Sequence, residues 1–280
     1  MRHLLPYKYV EAIAKAGSIR KAAELLAITP SALNRRLLSI EEELGVQIFE
    51  RLPVGVRLNV AGEILLEHIR NQMSDLERVK SQIADLSGQR RGDVSIAASP
   101  EIIGGFLPNQ VYEYANAFPG VNFDVHQVFR SDVEQVLTEY RSDIALIFEP
   151  LKLNEFQNSY NVRQPMLCVM HQDHPLADKK EVRLYECAEF PMVLPDISWG
   201  IRYMLEQGAI RLGLQLRCAV QSDNRNFLRN YKREADQLDF SIPINTPSNL
   251  EERGQVAVPV NVSDVPNGFI FLGHLKGRTL

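Results

Sequence analysis

The chain has 280 residues, 45% of them hydrophobic and 24% charged, with a formal net charge of −4. That is enough chain for two or more domains with sizeable cores, in the composition of an ordinary globular protein. No stretch approaches the length of a membrane span and no apolar signal region opens the chain, which excludes a membrane partner and makes the cytoplasm the expected location.

The charge is uneven. Residues 1–91 carry 14 Lys+Arg against 11 Asp+Glu, a net of +3, and residues 92–280 carry 17 against 24, a net of −7. A mildly basic N-terminal part therefore precedes an acidic body. Cys168, Cys187 and Cys218 form no C-x-x-C pair, which suits partly buried thiols in a reducing compartment.

Residues 3–16 predict a helix with Leu5, Tyr9 and Ile13 on one side, closed by Gly17. The next stretch, SIRKAAELLAITPSALNRRL over residues 18–37, predicts two short helices joined by a tight turn. Ser18 can cap the first, because its hydroxyl accepts from a free N–H of the first turn. Thr29 followed by Pro30 marks the second, since proline at the first helical position loses no hydrogen bond. Ala22, Ala23, Leu25 and Leu26 face inward from the first helix; Leu33, Leu37 and Ile40 recur at helical spacing in the second. Ser31, Asn34 and Arg35 are left outside. Short, polar and basic, they are the side chains a helix needs to meet base edges in a major groove.

Gly45 closes that helix, and ERLPVGVRL over residues 50–58 predicts a small hairpin, or wing. Asn59 can cap a long helix from Val60 to Ser87. Along it Ile69, Gln72, Leu76, Val79, Ile83 and Leu86 are spaced 3, 4, 3, 4, 3, a coiled-coil seam with one polar position. The seam points to a two-fold partner. Ser87–Gly92, polar and basic, is the clearest domain boundary.

After it, strands alternate with helices. Strands are predicted at Val94–Ala98, Val121–Val128, Asp143–Phe148, Met166–Met170, Leu214–Val220, Leu238–Ile244, Gln255–Val260 and Gly268–Leu272. Helices are predicted at Ile102–Phe118, Asp132–Tyr140, Trp199–Leu212 and Asn224–Lys232. The rhythm implies mostly parallel sheets covered by helices, in two subdomains with a ligand cleft between them at the strand ends.

The chain resembles the LysR-type transcriptional regulators. The resemblance rests on GSIRKAAELLAITPSALNRRL at 17–37, IEEELGVQIFER at 40–51 and VRLNVAGEILL at 56–66, with weaker support from His174-Pro175-Leu176-Ala177. It implies an α plus α/β protein in three parts. These are a winged helix-turn-helix (1–58), a linker and dimerisation helix (59–88), and an effector domain of periplasmic-binding-protein type (92–280). Within the last, subdomain I covers about 92–161 and 267–280, and subdomain II about 162–266. The implied partners are double-stranded DNA, a small-molecule effector such as a carboxylate or aromatic metabolite, RNA polymerase, and further copies of the chain in a homodimer or homotetramer.

The chain departs from the family pattern in places. Pro30-Ser31 replaces an amide-bearing pair, Asn34 replaces a serine, and Leu52-Pro53-Val54-Gly55 replaces a basic wing tip. KREADQLD over 232–239 stands where glycines are common, and the chain stops at Leu280 where another helix is usual.

For DNA the candidates are Ser31, Asn34 and Arg35 for bases, and Arg36, Arg51 and Arg57 for phosphates, with Ser18 and Thr29 at helix N-termini. For the effector they are Ser99 and Pro100 at the first strand's end, and Trp199 with Arg202 as stacking wall and carboxylate clamp. Ser99 can equally be a simple cap. Phe129, Phe148, Ser222 and Asn224 are placed by topology. Glu101 beside Ser99 opposes an anion. No metal or cofactor is expected: His171-x-x-His174 indicates no third ligand, and no phosphate loop, dinucleotide fingerprint or nucleophile elbow occurs. The alternative reading is a metabolite-binding protein or enzyme whose N-terminal helices only oligomerise.

Overall fold

The structure, a computed structural model, describes residues 5–86, 90–151, 154–247 and 249–278. Residues 3 and 4 of the expected first helix, 87–89 of the expected boundary and 279–280 lie outside the described residues, as does the side chain of Leu86. Two compact units are present, Met1–Ile83 and Ala84–Leu280.

In the first unit, α1 (Leu5–Ala16), α2 (Ile19–Leu25) and α3 (Pro30–Leu44) pack around Val10, Ile13, Ala22, Ala23, Leu33 and Leu37. The caps read from sequence form. Ser18 Oγ accepts from Lys21 N at 3.5 Å, Thr29 Oγ1 from Ala32 N at 3.3 Å, and Gly45 ends α3 at φ +69°. The Glu41 carboxylate then accepts from Ile48 N (2.8 Å) and Phe49 N (3.3 Å), which ties α3 to the wing. The wing is β1 (Phe49–Arg51) paired antiparallel with β2 (Val56–Leu58). Gly55 makes this possible: its φ is +92°, and a Cβ there would lie 2.3 Å from Gly17 O.

Next comes α4 (Val60–Leu86), started by Asn59, whose Oδ1 accepts from Gly62 N at 2.9 Å. The seam divides along it. Ile69 is buried in the core of the first unit, Gln72 is exposed, and Val79 and Ile83 are 43% and 61% exposed.

The second unit holds two five-stranded sheets. In chain order the elements are β3 (Arg91–Ala98), α5 (Pro100–Ile103), α6 (Phe106–Ala117), β4 (Gly120–Gln127), α7 (Val133–Thr138), β5 (Ile144–Phe148) and β6 (Phe156–Gln164). Then follow β7 (Leu167–His171), α8 (Leu184–Cys187), β8 (Met192–Pro195), α9 (Gly200–Leu212), β9 (Cys218–Ser222) and α10 (Arg225–Asn230), with β10 (Leu238–Ser241), β11 (Gln255–Pro259) and β12 (Gly268–Leu275) last. The first sheet runs β4-β3-β5-β12-β6 and the second β11-β7-β10-β8-β9. The chain thus leaves subdomain I after β6 and returns to it at β12.

The sheets are mixed rather than mostly parallel. In the first, β4, β3 and β5 are parallel, while β12 runs antiparallel to β5 and β6. In the second, β9, β8 and β10 are parallel, while β7 is antiparallel to β10 and β11. Crossing between subdomains reverses the chain and lays the returning strands antiparallel. The expected helix over 102–118 is two helices, broken at Gly104-Gly105 where Arg225 packs within 2.8 Å of a Cβ placed on Gly104. The expected strand at 214–220 forms later, at Cys218–Ser222.

Candidate functional site

On the first unit, Ser31, Arg35 and Arg36 are exposed along α3 and Asn34 is half-buried. Neither arginine has an acidic partner among the described residues. Ser31 Oγ lies 3.2 Å from Thr29 Oγ1, so these hydroxyls share the helix start. Arg51 is exposed at the wing base. Arg57 is exposed too, but its Nη2 donates to Glu50 Oε2 at 2.7 Å across the hairpin, so a phosphate must compete with a carboxylate for it. The wing tip is apolar, with Val54 91% exposed.

In the second unit a cleft of about 500 Å³ opens between Phe129 of subdomain I and Asp196, Ser198, Gln221, Ser222 and Asp223 of subdomain II. Phe129 and Ser222 are the expected effector residues that line it. Its floor is a linked polar chain. Asp196 accepts from Ser198 N (3.0 Å) and from Gln221 Nε2 (3.1 Å). The Ser198 backbone N–H and hydroxyl hold the Asp196 carboxyl below the usual carboxylate range. Arg202 donates to Gln221 Oε1 (3.3 Å), Pro195 O (3.3 Å) and Glu206 Oε1 (2.6 Å). Its guanidinium is therefore committed within the protein.

The other expected residues serve the fold around the cleft. Trp199 is buried with Val193 and Leu228, against Phe129, and its Nε1 has no partner among the described residues. Asn224 caps α10 by accepting from Phe227 N at 3.0 Å. Phe148 is fully buried, wedged so tightly between Gly200 and Gly268 that a Cβ on either would come within 2.5 Å of its ring. Ser99 is buried as well. It makes no helix cap with its side chain; its Oγ accepts from Phe148 N at 3.2 Å. The Pro100 carbonyl accepts from Arg225 Nη1 at 3.0 Å.

Glu101 takes a place no simple sequence rule assigns to it. It projects from α5 in subdomain I to the N-terminus of α9 in subdomain II, where Oε1 accepts from Ile201 N at 3.3 Å. The Gly200 N–H and the Ser99 hydroxyl also support the carboxyl. Free N–H groups and the helix dipole make such an end attractive to anions. Glu101 is nevertheless fully buried, its Oε2 without a partner among the described residues, and burial outweighs the hydrogen bonds, so its pKa is raised. A resident carboxyl thus occupies the position where a carboxylate effector would meet α9. Nearby, the Arg130 guanidinium stacks 3.6 Å from the Tyr203 ring centre, a second tie between subdomains.

The pair His171 and His174 organises a turn. Each Nδ1 accepts a backbone N–H, from Asp173 (3.2 Å) and Leu176 (3.1 Å) respectively.

The sequence matches two family descriptions. Residues 6–63 match the bacterial regulatory helix-turn-helix protein, lysR family, and residues 87–233 match the LysR substrate binding domain. The chain belongs to the LysR family. Among curated LysR relatives, the uncharacterized HTH-type transcriptional regulator YbhD of Escherichia coli is 31% identical over 209 residues, 74% of this chain and 66% of YbhD. The chain thus matches about two thirds of that relative's length. Among solved structures, a cysteine-to-aspartate variant of full-length OxyR from Pseudomonas aeruginosa superposes with a TM-score of 0.68 at 17% identity, covering 97% of this chain and 88% of OxyR. CbnR in complex with its target DNA gives 0.61 at 15% identity, with 99% and 94% covered. These likenesses extend the LysR fold over both units. LysR proteins are transcriptional regulators, not enzymes. No helix among the described residues is long and apolar enough to cross a membrane.

Proposed function

We propose that the chain is a sequence-specific DNA-binding transcriptional regulator controlled by a small molecule in the Phe129–Asp196 cleft, and that it acts in the cytoplasm. The observation that carries the reading is the outer face of α3, where Arg35 and Arg36 are exposed, with no acidic partner among the described residues, beside Ser31 and Asn34. Arginine is suited to guanine O6/N7 and asparagine to adenine N6/N7, each contact discriminating by about 1–3 kcal/mol. CbnR, of similar fold, was solved with its target DNA, which supports DNA binding by a chain of this fold.

We assign the tasks by segment: reading to 1–58, pairing to 59–88 and effector response to 92–280. The exposed Val79 and Ile83 on α4 support a homodimer, in which burying both apolar side chains offsets the exposure of the lone chain. RNA polymerase is the partner through which a change in dimer geometry would reach transcription. The cleft favours a neutral or cationic effector with an apolar face. Asp196 is held ionised, Arg202 is already paired and Glu101 fills the α9 N-terminus.

A mobility-shift titration against the DNA upstream of the protein's own gene, repeated in rising salt, tests the reading. Sequence-preferring binding that weakens with salt is expected. Binding that ignores sequence, or none, refutes it.

A further inference from the structure

The segment Lys232–Asp239 has no part in the reading face or the effector cleft. It walls a second cavity, of about 240 Å³, wholly within subdomain II, which shares no lining residue with the cleft. Three separate stretches of chain build it: the end of α10 with the segment after it, the C-terminal end of β7, and the approach to β11.

Its charge is at odds with its surroundings. Residues 92–280 carry a net charge of −7, yet the lining holds Arg229, Lys232, Arg233 and Arg253 against one acid, Glu234. Arg233 is anchored by Asp239 at 2.5 Å and by Leu228 O at 3.2 Å. Arg229, Lys232 and Arg253 have no acidic partner among the described residues. One further donor adds to them: the Arg233 Nε–H is buried without a partner among the described residues. His171 also lines the cavity, its Nδ1 accepting the Asp173 N–H at 3.2 Å and lying 3.5 Å from the Asp173 carboxylate.

Three unpaired cations around one small space repel each other. A multiply charged anion relieves that repulsion and satisfies several donors at once. We propose that this cavity is a second ligand site, separate from the effector cleft, for a small multiply charged anion of the phosphate-ester type. Its size admits one such head group with a short carbon chain. Its walls, drawn from three stretches of chain, suit a single group better than a run of backbone phosphates.

Isothermal titration of the full chain with inorganic pyrophosphate, at constant ionic strength in sodium chloride, tests the site. One pyrophosphate per chain is expected, with affinity reduced about tenfold or more by either Lys232→Ala or Arg253→Ala. Both replaced side chains lie on the surface, so the melting temperatures without pyrophosphate should match that of the unmodified chain and confirm folding. Citrate is the second probe. Weaker citrate binding supports a phosphate ester; equal binding that depends on the same two residues also supports the multiply charged anion site and makes polycarboxylates its source. Absence of heat from pyrophosphate overturns the proposal. So does heat that survives both substitutions but is lost in Arg35→Ala, which places the anion on α3.

Discussion

Replacing Glu101 by alanine removes an acceptor from the N-terminus of α9 and leaves the Ile201 N–H, with the Gly200 N–H beside it, facing an empty space. A buried donor left without a partner costs about 1–3 kcal/mol. At about 2–4 °C per kcal/mol for a domain of this size, the melting temperature of Glu101→Ala falls by roughly 2–12 °C. The vacated position then accepts a small carboxylate from solution. Acetate at ten times its dissociation constant restores about 1.4 kcal/mol through mass action, and in the unmodified chain, where Glu101 blocks the position, it restores nothing. Differential scanning calorimetry with an acetate series, at constant ionic strength, reads both effects. A variant as stable as the parent, or acetate stabilising both chains equally, refutes the assignment of Glu101 as a resident ligand. Titration supplies an independent sign. Because burial raises the pKa of Glu101, its contribution is fully present below the unfolded value of about 4.3 and is lost as pH rises through the folded value. Glu101→Gln, which keeps one acceptor oxygen and never ionises, should lack that pH dependence.

Asn34→Ala and Arg35→Ala should each relax discrimination at distinct operator positions by about 1–3 kcal/mol per base pair, read by anisotropy on single-base variants of the operator. Unchanged preference in both would remove the weight placed on these residues while leaving the family assignment intact. The double substitution Val79→Asp and Ile83→Asp should shift a dimer to monomer in sedimentation equilibrium, because it places charge in the exposed α4 seam; an unaltered assembly would rule this seam out. Asp264 makes a double hydrogen bond to Arg183 (2.8 Å each) and accepts the Leu184 N–H at 2.9 Å, and the Arg183 hydrogen bond leads in holding its pKa below the usual range. Its stabilising effect is present above the unfolded pKa near 3.9 and is lost as pH falls through the lower folded value. Asp264→Asn should therefore lower the melting temperature at pH 7, with the gap narrowing in acid; a gap independent of pH contradicts this.

Local chemistry was legible in the sequence. Ser18, Thr29-Pro30, Gly45 and Asn59 act within three or four residues of themselves, and each does in the structure what its side chain or backbone freedom implies. The strand β5, IALIF, is an unbroken apolar run and forms a buried strand. By contrast, β6 (FQNSYNVRQ) exposes its seven central residues and carries no apolar alternation, so only pairing with β12 identifies it as an edge strand. The four-residue β8 follows Pro191 and ends on Pro195, too short and too proline-bounded for the strand pattern to mark it. That β7 pairs antiparallel with β10 and β11, and β12 with β5 and β6, depends on where the chain crosses between subdomains, which no periodicity records.

The exposed polar face of α3, the proposed reading face, was legible because its residues lie on one helix. The cleft was less so. Trp199, Arg202 and Phe148 occur in the expected ligand-wall segments, but their roles depend on Phe129, Gln221, Gly200 and Gly268, which meet them only after folding. The sequence alone sets Glu101 beside Ser99 as an obstacle to an anion. That it reaches α9, a hundred residues along the chain, is a fact of tertiary structure. Arg57 shows the same limit over a short distance, since the hairpin register sets Glu50 opposite it.

The most direct test of the central claim is hydroxyl-radical footprinting on the DNA upstream of the protein's own gene, with the unmodified chain and with Arg35→Ala. A dimer reading with two copies of α3 should protect two patches on one face of the duplex, one helical turn or a whole multiple apart, and Arg35→Ala should abolish both. No protection by the unmodified chain, or a footprint that Arg35→Ala leaves in place, would contradict it.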